Sequence, residues 1–400
     1  MKNIVKSFIL LFISSCSYID GFNIFTSSSS STQVENVKVE RLWSKSIGQS
    51  KNSKTGFLQP FLFEDTIYTI DTDGVVTATN VLNADKDWSY NLDMDVSSGL
   101  LFHNNIFYFG TPDGKLYGYH IDKISSGNSF KDAFDFTGVF ETSALIPDIS
   151  IQLNSEIASA ATGVDDLVFV KLDDGDTVAI NTLSSDVAWV YKGKNVPLSM
   201  KGSGSIAHNQ SNIYVARDDG NIVSLTSDSG KLNWLISVSP RSGRNELESL
   251  RDMEMTPLVT SGEVFTGNYQ GNLVSIDLFT GNIIWSNPMS VISNVSVDYD
   301  NLYVSDNSGK IYSIDRYDGT IKWKMSNPDN LISTQTYVYN DYLISFSIDG
   351  HIIILDKDIG KLLSFKKIID SVEPQSSGYI IDKVLYIVSK NGRLNAIQIN

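Results

Sequence analysis

The sequence predicts an all-β fold, an eight-bladed β-propeller of four-stranded antiparallel blades, and three observations predict it. A unit of about 40 residues recurs along the chain, as it does in propellers. Two glycine turns sit at fixed offsets inside the unit, and tryptophan keeps to one slot of it. A single blade has apolar faces that it cannot cover alone, so blades stack around an axis.

Gly271 to Trp285 (GNLVSIDLFTGNIIW) is the clearest copy, with apolar residues at alternate positions from Leu273 to Asp277. Gly309 to Trp323 (GKIYSIDRYDGTIKW) keeps each landmark, and Gly220, Gly230 and Trp234 repeat the offsets of ten and fourteen residues. Gly74 to Trp88 and Gly175 to Trp189 keep the fourteen, but Ala84 and Ser185 replace the middle glycine. The first-turn glycines are 74, 114, 175, 220, 271, 309, 350 and 392, which implies eight blades. Asp-Gly and Asn-Gly at Asp73, Asp113, Asp174, Asp219, Asp349 and Asn391 are expected to form two-residue hairpins in which both central residues take positive φ.

All six tryptophans (43, 88, 189, 234, 285 and 323) occupy the repeat slot. Phe365 falls one residue late in the seventh copy, and the second copy has no aromatic nearer than Phe130. Burial of a Trp removes roughly 150–250 Å² from water, so the ladder is expected to pack blade on blade. Val37 to Ile47 reads as a strand standing alone, and the last repeat ends without a final strand. The N-terminal strand is therefore expected to complete the eighth blade and close the ring, leaving no open edge.

Before the propeller lies a targeting segment. Lys2 and Lys6 precede a short apolar run, Phe8 to Ile13, well under the roughly 20 residues a membrane span needs. Ile13-Ser14-Ser15-Cys16 matches a bacterial lipobox, so Cys16, the only cysteine, is expected to be acylated. Ser17, rather than aspartate, implies sorting to the outer membrane. Residues 1–15 thus read as a lipoprotein signal peptide, 16–36 as the lipidated cysteine with a serine-rich tether, and 37–400 as the propeller.

The net charge of −15 argues against a nucleic-acid partner and supplies no polybasic patch for anionic lipid. Cys16 has no second cysteine to pair with. His103, His120, His208 and His351 fall in different blades without paired spacing, and Asp71-Thr72-Asp73-Gly74 lacks the closing glutamate of a calcium loop. No P-loop, HExxH or G-x-S-x-G elbow occurs. The chain is therefore expected to be no enzyme, with no catalytic residue, cofactor or metal. Two stretches exceed the blade length: one near Lys123 to Gln152, the other Ser239 to Glu254. Long loops on a rigid scaffold are where function concentrates.

The repeat resembles the pyrroloquinoline-quinone type of propeller. Quinoprotein dehydrogenases share it, but they carry adjacent cysteines and a calcium beside the cofactor. Val196 to Gly202 (VPLSMKG) and Gly243 to Trp285, including GRNELESLRDMEMTP, resemble instead the BamB family, lipoproteins of the outer-membrane barrel-assembly machinery. That resemblance implies a non-enzymatic scaffold, anchored by lipid and facing the periplasm, that assists folding and insertion of β-barrel proteins. It implies binding to the POTRA domains of the barrel-inserting subunit, with nascent outer-membrane proteins as further partners. The contacts carry over onto Leu198, Met200 and Lys201 in one loop and onto Asp252 and Glu254 in the next. Lys201 and Glu254 replace the family's usual arginine and aspartate. In an extended loop, Leu198 and Met200 project together, as do Asp252 and Glu254, with Met253 and Met255 turned toward the blade. The result is an apolar pair with a charged rim. Leu198 and Met200 as the core start of a blade strand is the competing reading.

Overall fold

A computed structural model describes residues 37–47, 58–125, 145–157, 159–194, 196, 204–239 and 252–400. Among them are 32 β-strands, numbered in chain order, in eight four-stranded antiparallel sheets. Seven sheets take four consecutive strands each. The eighth pairs β30 (Gly378–Ile381), β31 (Val384–Ser389) and β32 (Arg393–Ile399) with β1 (Val39–Ser46) as its outer strand. First and last segments of the propeller thus close the ring, from Val39 opposite Ile399 to Ser46 opposite Arg393. The first strands of neighbouring blades touch, which places them around the axis.

The core lies in the seams. Phe265, Leu273 and Trp285 of blade 5 pack with Leu302, Val304 and Ile314 of blade 6 in one buried cluster, and Tyr214, Ile222 and Trp234 of blade 4 pack likewise with Val264, Val274 and Ile276 of blade 5. Inside each blade, the tryptophan slot belongs to a triplet across three strands. Trp285 lies opposite Ser275, which lies opposite Phe265, and the two rings stand 6.0 Å apart. Trp43, Trp88, Trp189, Trp234 and Trp323 face Ala396, Ala78, Ala179, Ser224 and Ser313 in the same way. A small middle residue lets the indole lean across to the inner aromatic. In blade 7 the triplet is Ile344, Ile354 and Ser364, so an isoleucine fills the space and Phe365 is displaced by one position. Blade 2 has Tyr108, Gly118 and Ile149, while Phe130 lies outside the described residues.

The Asp-Gly turns differ from expectation. Gly74, Gly114, Gly175, Gly220, Gly309, Gly350 and Gly392 have positive φ, but the residue before each does not. The Gly74 N–H donates to the Asp71 carbonyl (3.1 Å), and the Asp71 N–H donates to Val75 (3.2 Å), so the loop has three residues and ends in a glycine bulge. The Asp71 carboxylate causes this by accepting the N–H groups of Asp73 (3.1 Å) and Val75 (2.7 Å), an Asx turn that also accounts for the calcium-like spelling. Paired positive φ occurs instead in first-to-second-strand turns, at Asn104 and Asn105 (51° and 63°) and at Asp382 and Lys383 (45° and 70°).

Antiparallel order gives the ring two faces. Second-to-third-strand turns and blade-to-blade connections share the upper face, and the remaining turns share the lower one. Lys38 exchanges backbone hydrogen bonds with Asn400 at the lower end of β1, whereas the Ile47 N–H reaches Gly392 at the upper end. The chain therefore enters the propeller on its lower face.

Candidate functional site

The two loops singled out by sequence are neighbouring upper-face connections, from blade 3 to blade 4 and from blade 4 to blade 5. Leu198, Met200 and Lys201 lie outside the described residues, as does Cys16. The frame that holds the first loop is well defined at both ends. At its start, Asp176 accepts the N–H of Gly193 (2.9 Å) and pairs with Lys192 (2.6 Å). A Cβ on Gly193 would lie 1.8 Å from the carbonyl oxygen of Gly175, so only glycine allows this approach. At its end, Gly204 sits against the second connection, where a Cβ would lie 2.8 Å from the Glu254 carbonyl oxygen and 2.9 Å from that of Met255. The Ser205 N–H donates to Thr256 Oγ1 (2.9 Å), and the Thr256 N–H donates to Asn294 (2.9 Å). The two connections thus meet.

The expected charged rim is corrected. Asp252 is fully buried and Glu254 is 4% exposed, with Met253 and Met255 buried between and after them. Alternation does not separate an inner from an outer face here, because the segment is covered on both sides. Its backbone is also tied into blade 5, where the Asp252 carbonyl accepts the Tyr269 N–H (2.9 Å). Buried carboxylates hold a structure together through their partners rather than meeting solvent. Asp252 and Glu254 therefore belong to the floor of the site.

Beside the first loop is a feature the sequence reading missed. A small notch of about 10 Å³ lies between the upper turns of blades 3 and 4, reaching Val196, the first residue of VPLSMKG. Its basic wall is Lys171, Lys194 and Arg217, and Asp173, Gly175 and Asp218 complete it. Lys171 Nζ is 3.0 Å from Asp218 Oδ1, with both side chains nearly buried. Arg217 donates through Nε (3.4 Å) and Nη2 (3.1 Å) to the two oxygens of Asp219, and its guanidinium lies 6.0 Å from the centre of the Tyr191 ring. The signal in the sequence was faint: charged residues in hairpin turns of two successive repeats.

One further group gathers ligand-type atoms. His351 Nδ1 lies 2.8 Å from Asp349 and 3.5 Å from Asp329, with the imidazole stacked on Phe365 at 4.6 Å. It lies in blade 7, away from both loops. Burial opposes ionisation of Asp349, but His351 beside it and Ser347 hold its carboxyl below the ordinary value. A hydrogen bond between His351 Nδ1 and Asp349 Oδ2 accounts for the shortest of these contacts.

Against this geometry, comparison with known proteins is specific. A family model described as "Outer membrane protein assembly factor BamB" matches residues 149–325, which include both connections and the notch. The protein of that name from Shewanella oneidensis is 29% identical over 242 residues, spanning 60% of this chain and 61% of that one. Its counterpart from Yersinia pestis is 22% identical over 392 residues, spanning 96% and 95%. The crystal structure of BamB from Moraxella catarrhalis superposes with a TM-score of 0.75 at 20% identity, over 90% of this chain and all of that one. A quinohemoprotein alcohol dehydrogenase from Comamonas testosteroni reaches a TM-score of 0.63 at 11% identity, a likeness of fold alone. With eight blades closed by the N-terminal strand, and with the matched residues spanning both connections, the chain is similar to the outer membrane protein assembly factors named BamB.

Proposed function

We propose that this protein is a non-enzymatic scaffold of the barrel-assembly machinery, carried on the outer membrane by an acylated Cys16 and facing the periplasm. It assists folding and insertion of β-barrel proteins by docking on the POTRA domains of the barrel-inserting subunit. Residues 1–15 are removed as a signal peptide, 16–36 form the tether, and 37–400 form the docking body. Leu198 and Met200 are the apolar anchors of the contact and Lys201 is its charged neighbour. Asp252 and Glu254 support the loops from beneath.

The observation that carries this reading is the convergence of the two upper-face connections, where Gly204 rests on Glu254 and Met255. An apolar pair on a frame fixed at both ends loses little conformational freedom on binding. The test is co-purification of the barrel-inserting subunit with Leu198→Ala and Met200→Ala variants. Each should weaken capture with an unchanged unfolding midpoint. A large loss of stability with capture retained would make these residues core and move the interface elsewhere.

A further inference from the structure

We propose that Asp329, Asp349 and His351 form a binding site for one divalent transition-metal ion, of which zinc fits best. This goes beyond the scaffold role and does not depend on it. It replaces the expectation, drawn from histidine spacing, that the chain holds no metal. The residues come from two segments: Asp329 from the connection between blades 6 and 7, Asp349 and His351 from the second-to-third-strand turn of blade 7. One ligand atom from each lies within 4.8 Å of the other two. His351 Nδ1 is 2.8 Å from Asp349 Oδ2 and 3.5 Å from Asp329 Oδ2. A tetrahedral zinc with bonds of about 2.0–2.1 Å holds its ligands about 3.3–3.4 Å apart. Small side-chain rotations therefore suffice to receive it.

The surroundings also suit an ion. In the corresponding turn of blade 2, Lys115 follows the glycine and pairs with Asp113 (3.1 Å). Blade 7 has His351 at that place, and an imidazole offers a lone pair that an ammonium lacks. Phe365 stacks on the ring with 4.6 Å between centres and 7° between planes, which holds Nδ1 toward both carboxylates. The Ser347 hydroxyl is fully buried, lies at Asp349 and has no hydrogen-bond partner, so a polar atom is left to support the site from behind. The Lys367 ammonium donates to the Asp349 carbonyl (2.6 Å) rather than to the carboxylate. Among the described residues, no lysine or arginine pairs with either carboxylate. Two carboxylates and an imidazole match a divalent ion of borderline softness, and solvent completes the fourth position beside the half-exposed Asp329. On uptake the imidazole hydrogen moves from Nδ1 to Nε2, which frees the Nδ1 lone pair for the metal. The ion then joins the connection to the blade 7 turn, so zinc stabilises the folded chain.

The test uses the full chain stripped with chelator. Zinc is titrated while the imidazole resonances are followed by NMR, and cobalt is titrated while visible absorption is recorded. Wild type should take up one ion per chain, with saturable shifts at His351 and the absorption of tetrahedral cobalt. His351→Gln and Asp329→Asn should each weaken uptake by about tenfold or more, with the metal-free unfolding midpoint of Asp329→Asn unchanged. The wild-type midpoint should rise with zinc concentration, and both variants should lose that rise. Following His351 itself separates this site from the Cys16 thiol and from the other three histidines. Absence of saturable uptake at millimolar zinc would overturn the proposal. So would uptake within twofold of wild type in both variants, or shifts confined to His103, His120 or His208. Should His351→Gln fail to fold, Asp329→Asn and the wild-type resonances decide alone.

Discussion

Gly319 lies against the indole of Trp285 across the seam between blades 5 and 6. A Cβ on Gly319 would stand 2.8 Å from Cδ2 of the ring, and the indole N–H donates to the Arg316 carbonyl at 2.8 Å. The pattern repeats around the ring. Gly230, Gly281 and Gly360 meet Trp189, Trp234 and Trp323, whose N–H groups reach the carbonyls of Ser227, Leu278 and Lys357. The middle glycine of one repeat is thus the seat for the tryptophan of the repeat before it. Gly319 also has φ of 78°. Gly319→Ala should cost about 1–2 kcal/mol for the left-handed backbone, with a further loss from displacing the ring. Chemical denaturation and a red shift of tryptophan emission measure it. A change under about 0.5 kcal/mol, the range of ordinary surface substitutions, would mean the seam contact does not form.

Trp285 itself separates packing from hydrogen bonding. It is 7% exposed and belongs to the cluster between blades 5 and 6. Trp285→Ala should cost about 3–5 kcal/mol through the cavity it leaves. Trp285→Phe keeps most of the ring but deprives the Arg316 carbonyl of its donor, for about 1–3 kcal/mol. Equal losses in the two variants would assign the seam to the hydrogen bond rather than to packing.

The periodicity made the blades legible, because turns and apolar alternation are local and repeat. The seam was less so: a repeat reads as a unit, whereas Trp285 and Gly319 belong to successive units. The exception at Ser185 follows from this, since the preceding blade 2 has Ile149 and no tryptophan in the slot. The Asp-Gly dipeptides were misjudged because the Asp71 carboxylate decides the turn, and side-chain capping is invisible in a dipeptide. Burial of Asp252 and Glu254 was illegible for a different reason. Their alternation with Met253 and Met255 looks two-faced, and what covers the polar face comes from tertiary packing. The notch needs Lys171 and Arg217, which the stacking of two blades brings together.

Closure of the ring should be sensitive to one side chain. Arg393 donates through Nε to the Ser44 hydroxyl (2.8 Å) and through Nη2 to the Ser44 carbonyl (2.7 Å), fastening β1 to β32. Arg393→Ala should cost about 1.5–3 kcal/mol, the range for charge-assisted bonds. Deleting residues 37–47 should abolish cooperative unfolding and produce sedimenting aggregates, because β32 becomes an open edge. A monomeric, cooperatively unfolding deletion variant would show that the other seven blades hold the ring without closure.

Acid should loosen the seam between blades 6 and 7. Burial opposes ionisation of Asp298, but the Tyr303 hydroxyl (2.9 Å), the N–H groups of Asn301 and Asp300, and Lys357 (3.5 Å) outweigh it and hold the carboxyl below its ordinary value. Burial, together with Asp298, raises the Tyr303 phenol far above its ordinary range, so it remains a donor. A carboxylate with a depressed folded value stabilises fully above its unfolded value, near pH 4, and loses that stabilisation as pH falls through the folded value. Wild type should therefore lose unfolding midpoint on acidification below about pH 4 more steeply than Asp298→Asn. Parallel pH profiles for the two proteins would show that this carboxylate contributes nothing to acid sensitivity.

Asp252 and Glu254 should behave as supports rather than contacts. Asp252 is fully buried and Glu254 nearly so, and a carboxylate in that position is tolerated only with its charge compensated. Removing one side of such an arrangement leaves the other uncompensated and costs about 3–5 kcal/mol. Asp252→Ala should therefore lower the unfolding midpoint markedly, with Asp252→Asn falling between it and wild type because the amide keeps the shape and part of the hydrogen bonding. Capture of the barrel-inserting subunit should fall with the folded fraction and recover when measured well below the unfolding transition, in contrast to Leu198→Ala. The check is thermal unfolding and binding on the same samples at two temperatures. An Asp252→Ala protein of wild-type stability that fails to bind at the lower temperature would return this carboxylate to the interface.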